Sequence, residues 1–117
     1  MYENWDVTFK LPRSDLGKRI DQIRTLSGNQ ELRSRLTRDL LDHADNNVYI
    51  TVGGLVMVLN ITMGTFRAEQ QPIAQSSFDA MAPYLFRELT EALIDNPAIR
   101  KDVLEALCGT NGIPLPG

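Results

Sequence analysis

The longest stretch without charged residues runs from residue 46 to residue 66, in a chain whose residues are 23% charged. It reads NNVYITVGGLVMVLNITMGTF and is rich in β-branched residues, which favour strands. Gly53 and Gly54 lie between two apolar segments, a position typical of a two-residue hairpin turn. The pattern therefore predicts a buried β-hairpin in the centre of the chain.

A transmembrane helix is the main alternative for this stretch. As one helix, residues 48–66 would be about 28 Å long, close to the thickness of a bilayer's hydrocarbon core. Asn60 would be costly in lipid, and no cluster of Lys or Arg flanks the segment. We therefore favour the hairpin and expect no membrane association.

Neither face of the predicted hairpin has the polar character of a solvated sheet face. Either helices of the same chain or a second copy of the chain must then cover the outer face. A candidate interface follows from the side chains on that face: Tyr49, Thr51, Val56, Val58 and Asn60.

The remaining apolar residues predict one more strand and about four helices. Residues 5–11 alternate apolar and polar positions as a half-exposed strand does, and Pro12 ends them. Apolar residues at helical spacing predict helices over 14–26, 30–44, a span from either Ser76 or Ala82 to about Leu93, and 97–109. Pro83 leaves the start of the third helix open. Asn96 and Pro97 are typical of a capped helix start, and Gly109 of a helix end.

These elements predict an α+β fold in a single domain, 1–117, with a flexible tail at 110–117. A small three-stranded antiparallel sheet, the N-terminal strand plus the central hairpin, would pack with about four helices. Helices on both sides of the sheet could cover it within a monomer. Three strands leave edges that need covering, so we favour a homodimer.

The composition of the chain bears on its possible partners and its cellular location. The formal charge of −3 and the isoelectric point near 5.0 predict no general affinity for nucleic acids. The single cysteine, Cys108, cannot form an internal disulfide, and the first twenty residues lack the apolar core of a signal peptide. We therefore expect a cytoplasmic protein.

Two pairs of residues could carry chemistry. Asp39 and His43 are four residues apart and would share a helix face, where they could bind a cation, although such pairs are more often structural. Cys108 could act as a nucleophile with His43, yet its place after Leu107 at a helix end favours packing. We expect no catalytic, cofactor-binding or metal-binding site.

Nucleic-acid binding is an alternative suggested by six cationic residues on the first two predicted helices: Lys18, Arg19, Arg24, Arg33, Arg35 and Arg38. A turn at residues 27–29 could join helices 14–26 and 30–44 into a helix-turn-helix. Acidic residues four positions away, as in Glu31–Arg35, favour solvated ion pairs instead. We therefore expect no nucleic-acid partner, with a weak DNA-binding protein as one alternative.

The function that the sequence favours is a small, non-enzymatic interaction protein. It would act as a homodimer on a partner protein, as inhibitors, immunity proteins, assembly chaperones and other accessory proteins of phages and mobile elements do. A second alternative is a small-molecule-binding domain with a pocket between the hairpin and the helices, lined by Tyr49, Met57 or Tyr84.

Overall fold

Helices dominate the computed structural model, which describes residues 4–28, 30–44, 49–69 and 75–115. Within these ranges the chain forms five α-helices and a two-stranded sheet. In chain order these are β1 (Thr8–Lys10), α1 (Leu16–Asp21), α2 (Gln30–Ala44), β2 (Tyr49–Thr51), α3 (Val52–Glu69), α4 (Gln75–Leu93) and α5 (Pro97–Thr110). Two single 3₁₀ turns, Arg13–Asp15 and Arg24–Leu26, flank α1. The predicted α+β class agrees with this architecture.

The sheet is smaller than predicted. Strand β1 pairs antiparallel with β2, with Phe9 opposite Ile50, and the described residues form no third strand. The N-terminal strand is therefore present, although three residues long, and only the first arm of the predicted hairpin is a strand.

The predicted central hairpin is wrong, because Val52 to Glu69 form one helix, α3. Its buried side chains recur at helical spacing, and those that are 3% exposed or less include Val52, Leu55, Val56, Leu59 and Met63. A nearly all-apolar run fits both a strand and a helix period, so periodicity could not distinguish them. Burial against α2 and α5 overrides the β-propensity of the valines and isoleucine.

The glycine pair lies in the first turn of α3 rather than in a hairpin turn. Thr51 caps this helix, since its Oγ1 accepts a hydrogen bond from Gly54 N at 3.0 Å. Val52 N and Gly53 N donate to the carbonyls of Val7 and Trp5 at 3.1 and 3.0 Å. Residues before β1 therefore satisfy donors that a helix start leaves free.

The five helices contact one another in a closed ring. Helix α1 packs against α2 and α4, α3 packs against α2 and α5, and α5 packs against α4. The ring encloses one core, whose fully buried side chains include Leu36, Leu59 and Phe86. Among the described residues, no helix is both long and apolar enough to span a membrane.

The predicted helix over 14–26 is broken into α1 and the two flanking 3₁₀ turns. Ile23 has extended backbone angles, φ −73° and ψ 114°, which separate α1 from the second turn. The predicted apolar stripe is nevertheless buried: Leu16, Ile20, Ile23 and Leu26. The next helix, α2, has the predicted bounds.

The bounds of the last two helices can be compared with those predicted from Pro83, Asn96 and Gly109. Pro83 lies inside α4, so that helix does not begin at Ala82. Asn96 caps α5 as predicted, its Oδ1 accepting from Ala98 N at 2.9 Å. Helix α5 continues past Gly109 to Thr110, and the chain then turns at Gly112, whose φ of 65° suits glycine. Gly112 N and Ile113 N donate to the carbonyls of residues 109 and 108, as in a Schellman motif.

The structure describes residues 110–115 of the predicted tail. Thr110 is the last residue of α5, and Ile113 is only 6% exposed. Residues 116–117 lie outside the described residues.

Candidate functional site

The outward side of α3 carries large apolar side chains, and none of its residues from Val52 to Gly64 is charged. Gly54, Met57, Ile61 and Gly64 follow one another at spacings of three, four and three residues, so they lie along one side of the helix. We call these four residues the α3 face. Met57 is 59% exposed and Ile61 is 60% exposed. The centre of an exposed helix face is usually polar, so this face is a candidate site of contact with another molecule.

Polar contacts on both flanks fix how α3 is rotated. On the α2 side, the Thr62 hydroxyl, 1% exposed, donates to Asp39 Oδ2 at 2.8 Å. On the α5 side, Asn111 Nδ2 donates to Asn60 Oδ1 at 2.9 Å. These contacts hold Met57 and Ile61 outward.

An open groove of about 370 Å³ runs beside the α3 face, between α2 and α3. It is lined by Asp39, Asp42, Val58, Ile61 and Thr62. Asp39 also lies 3.8 Å from Arg38 Nε, measured from its Oδ1. The groove gives the α3 face one acidic edge and a mostly apolar floor.

A second exposed patch lies on α4. Met81, Tyr84 and Arg87 succeed one another at three-residue steps; we call them the α4 face. Tyr84 is 54% exposed and Met81 is 38% exposed, and the Arg87 guanidinium carbon lies 5.5 Å from the centroid of the tyrosine ring. This stacking orders both side chains at the surface.

The five predicted interface residues do not form one surface. Tyr49 and Thr51 are exposed on β2, whereas Val56 and Val58 are buried in α3 at 3% and 8% exposure. Asn60 is half-buried and bonded to Asn111. These residues share one face only at the two-residue period of a strand, and a helix distributes such positions around its circumference.

The residues that could bind a cation or act as a nucleophile are not brought together in the part of the chain that the structure describes. The His43 side chain lies outside the described residues, so its pairing with Asp39 or Cys108 stays a prediction. Within the described ranges, no group of three or more His, Cys, Asp or Glu side chains could hold a metal ion. Cys108 is 1% exposed, and burial raises the pKa of its thiol above the ordinary value. Buried thiols in such surroundings are poor nucleophiles.

Several cations of the predicted DNA-binding helices make contacts within the chain. Arg19 Nη1 donates to the carbonyl of Ala92 at 2.9 Å, near the end of α4. Arg33 bonds the carbonyl of Leu26, and its Nε lies 3.2 Å from an Asp21 oxygen. The predicted pair Glu31–Arg35 is present at 3.5 Å. Arg19 and Arg33 therefore join elements of the fold, and Arg35 pairs within α2.

The three residues suggested for a ligand pocket also lie at the surface. Tyr49, Met57 and Tyr84 are 58%, 59% and 54% exposed. They therefore do not line a closed cavity, and the grooves found among the described residues are open to solvent.

Comparison of the chain with protein-family models, curated proteins and solved structures gave no match.

Sequence reasoning missed both exposed faces. It assigned Met57 and Ile61 to a covered hairpin and considered Tyr84 only as a possible lining of a ligand pocket. Helical spacing contained the missing signal, because residues 57, 61 and 64 lie opposite the stripe formed by 55, 59 and 63. Applying the helix period to 52–64 would have located the α3 face.

Proposed function

We propose that this chain is a small, non-enzymatic interaction protein that acts as a homodimer on the surface of a partner protein. Its mode of action would be that of inhibitors, immunity proteins and assembly chaperones, which bind to the surface of another protein. One observation carries the proposal: of the seven large apolar side chains that are exposed among the described residues, four lie on the outward sides of two helices, namely Met57 and Ile61 on α3 and Met81 and Tyr84 on α4.

The α4 face supports partner binding through its residue types. Tyrosine, methionine and arginine are enriched where proteins contact each other, and tyrosine and arginine are common among residues that dominate binding energy. Tyr84 and Arg87 stack on each other, so less side-chain freedom remains to be lost on binding. A partner that covers Tyr84 and Met81 would remove both from water.

Affinity capture from the native host tests partner binding. The full chain is immobilised as wild type, as Tyr84→Glu and as Lys18→Glu, and retained proteins are identified by mass spectrometry. Lys18 is the matched control, because it is exposed on α1 and belongs to neither face. We expect a protein retained by the wild type and by Lys18→Glu but lost with Tyr84→Glu.

Retention of the same proteins by all three forms would contradict a partner site on the α4 face. Circular dichroism of each form excludes misfolding as the cause of a loss. Since Tyr84 is more than half exposed, its replacement should leave the helices intact.

A further inference from the structure

We propose that a recess beside the end of β1 binds the phosphate group of a small phosphate monoester. Residues 10–14, which lead from β1 into the first 3₁₀ turn, form this recess together with Asp95, which lies between α4 and α5. We call it the β1 recess. It shares no residue with the α3 face or the α4 face, so the inference goes beyond the proposed function and does not depend on it.

Two cations of the β1 recess have no acidic partner among the described residues. Lys10 is exposed at the end of β1, and Arg13 is half-buried in the 3₁₀ turn. Neither takes part in the ion pairs of the described residues, which involve Arg19, Arg33, Arg35, Arg38 and Lys101. The recess therefore presents two uncompensated positive charges to a ligand.

The Arg13 guanidinium is the more informative of the two cations. Its Nη1 is buried and has no hydrogen-bond acceptor in the described part of the chain. A buried charged nitrogen without an acceptor is costly, and such groups often mark the place of a bound ion or water. Because the guanidinium charge is delocalised, an anion at the accessible part of the group compensates for it. Arg13 thus gains more from a bound anion than a fully solvated cation would.

The number of charges favours a phosphate over a carboxylate. A phosphate monoester carries a charge of about −1.5 to −2 near pH 7 and has three acceptor oxygens. Lys10 and Arg13 supply two matching charges, and Ser14 adds an exposed hydroxyl that can donate a hydrogen bond. Asp95 is the one acidic residue of the recess, and its Oδ1 lies 3.4 Å from Arg19 Nη1, which offsets its charge.

The size of the β1 recess indicates that the phosphate belongs to an organic molecule. Its volume is about 640 Å³, which is in the range of small-molecule sites and much larger than a phosphate ion. Leu11 and Pro12 add apolar surface beside the cations. Because the recess is open to solvent, we expect a dissociation constant of about 0.1–1 mM.

Backbone hydrogen bonds fix the wall that carries the cations. Arg13 N donates to the carbonyl of Leu11 at 2.8 Å, and Asp15 N donates to that of Pro12 at 3.0 Å. The Leu11 side chain, 1% exposed, anchors the same segment in the core. The wall is therefore formed before a ligand binds, which lowers the entropic cost of binding.

Titration of the full chain with phenyl phosphate at constant ionic strength, followed by amide shifts in ¹H–¹⁵N NMR spectra, tests the proposal. We expect saturable shifts concentrated at residues 10–14 and at Asp95. Benzoate keeps the ring but carries a single charge, so it should bind at least about fivefold more weakly. Vesicles of phosphatidylcholine and phosphatidic acid present the same monoester on a lipid, and we expect them not to retain the chain on sedimentation.

Four substitutions assign the binding to the proposed side chains. Arg13→Gln should weaken binding of phenyl phosphate at least about tenfold, and Lys10→Gln about threefold, because each removes a positive charge. Asp95→Asn should strengthen binding, because it removes a repelling carboxylate. Lys18→Gln is the matched control, since Lys18 is exposed on α1 outside the recess, and it should bind as the wild type does.

The proposal is overturned if phenyl phosphate causes no saturable shifts, if benzoate binds equally well, or if the vesicles retain the chain. It is also overturned if Lys18→Gln weakens binding as much as Lys10→Gln. Circular dichroism verifies folding, and the exposed positions of Lys10 and Asp95 keep the test valid should Arg13→Gln fail to fold. Failure of this proposal leaves partner capture through the α4 face intact.

Discussion

Gly53 shows how one residue can decide the start of an element. A Cβ atom at this position would lie 2.6 Å from Trp5 Nε1, which is too close for the indole to stay in place. Glycine is therefore required by the close approach of tryptophan, not by a hairpin turn. The sequence suggests a special role for the glycine pair, but the partner is 48 positions away and cannot be predicted from spacing.

Replacing Gly53 by alanine should destabilise the fold by about 1–3 kcal/mol, because the indole or the helix must move. Gly17→Ala is the matched control, since Gly17 is also the second residue of an α-helix and its added Cβ meets nothing within 4 Å. Urea unfolding measures both, and fluorescence of Trp5, the chain's only tryptophan, reports the local change. Equal stabilities of the two variants would contradict the Trp5 contact.

Cys108 gives a residue-scale prediction with a definite sign. Burial raises the pKa of its thiol, so the folded protein favours the neutral form. The resulting stabilisation is complete below the pKa of the unfolded thiol and is lost as pH rises through the folded value. We expect the stability difference between wild type and Cys108→Val, measured by urea unfolding, to shift against the wild type at alkaline pH.

A pH-independent difference would argue against a buried thiol. Alkylation by iodoacetamide provides a second readout, because it requires an accessible thiolate. Modification of the folded chain should be slow, and it should become fast in urea.

At the scale of elements, the sequence predicted helices with distinct caps and polar faces better than the uncharged centre. Helix α2 has a clear apolar stripe, and α5 has Asn96 and Pro97 at its start, so both were located. The segment 52–66 lacks charged residues that would mark one face as exposed. Its conformation depends on α2 and α5, which pack on it from distant parts of the sequence.

The Asn96 cap provides a test at this scale. Its Oδ1 accepts from Ala98 N at 2.9 Å and from Ile99 N at 3.4 Å. Asn96→Ala should cost about 1 kcal/mol of stability, since the first turn of α5 loses its acceptor. Asn96→Asp keeps an acceptor and should remain near the wild type. Thermal or urea unfolding measures both, and equal losses would show that the side-chain oxygen is not the stabilising group.

For the whole molecule, closure of the helix ring explains why the α3 face is exposed. Each helix packs against two others in the ring. On α3, Met57 and Ile61 lie on the part of the helix that these neighbours leave exposed. The sequence indicated that the uncharged segment has more apolar surface than one layer can cover. It could not indicate which residues would remain outside, because that depends on the helix period and on the Thr62 and Asn60 contacts that rotate α3.

The most direct test of the account is the state of association of the chain in solution, measured by sedimentation equilibrium over a wide range of protein concentrations. We predict that the wild type passes from the 13.1 kDa monomer to twice that mass as concentration rises. A mass that stays at that of the monomer at every concentration would contradict the proposed homodimer.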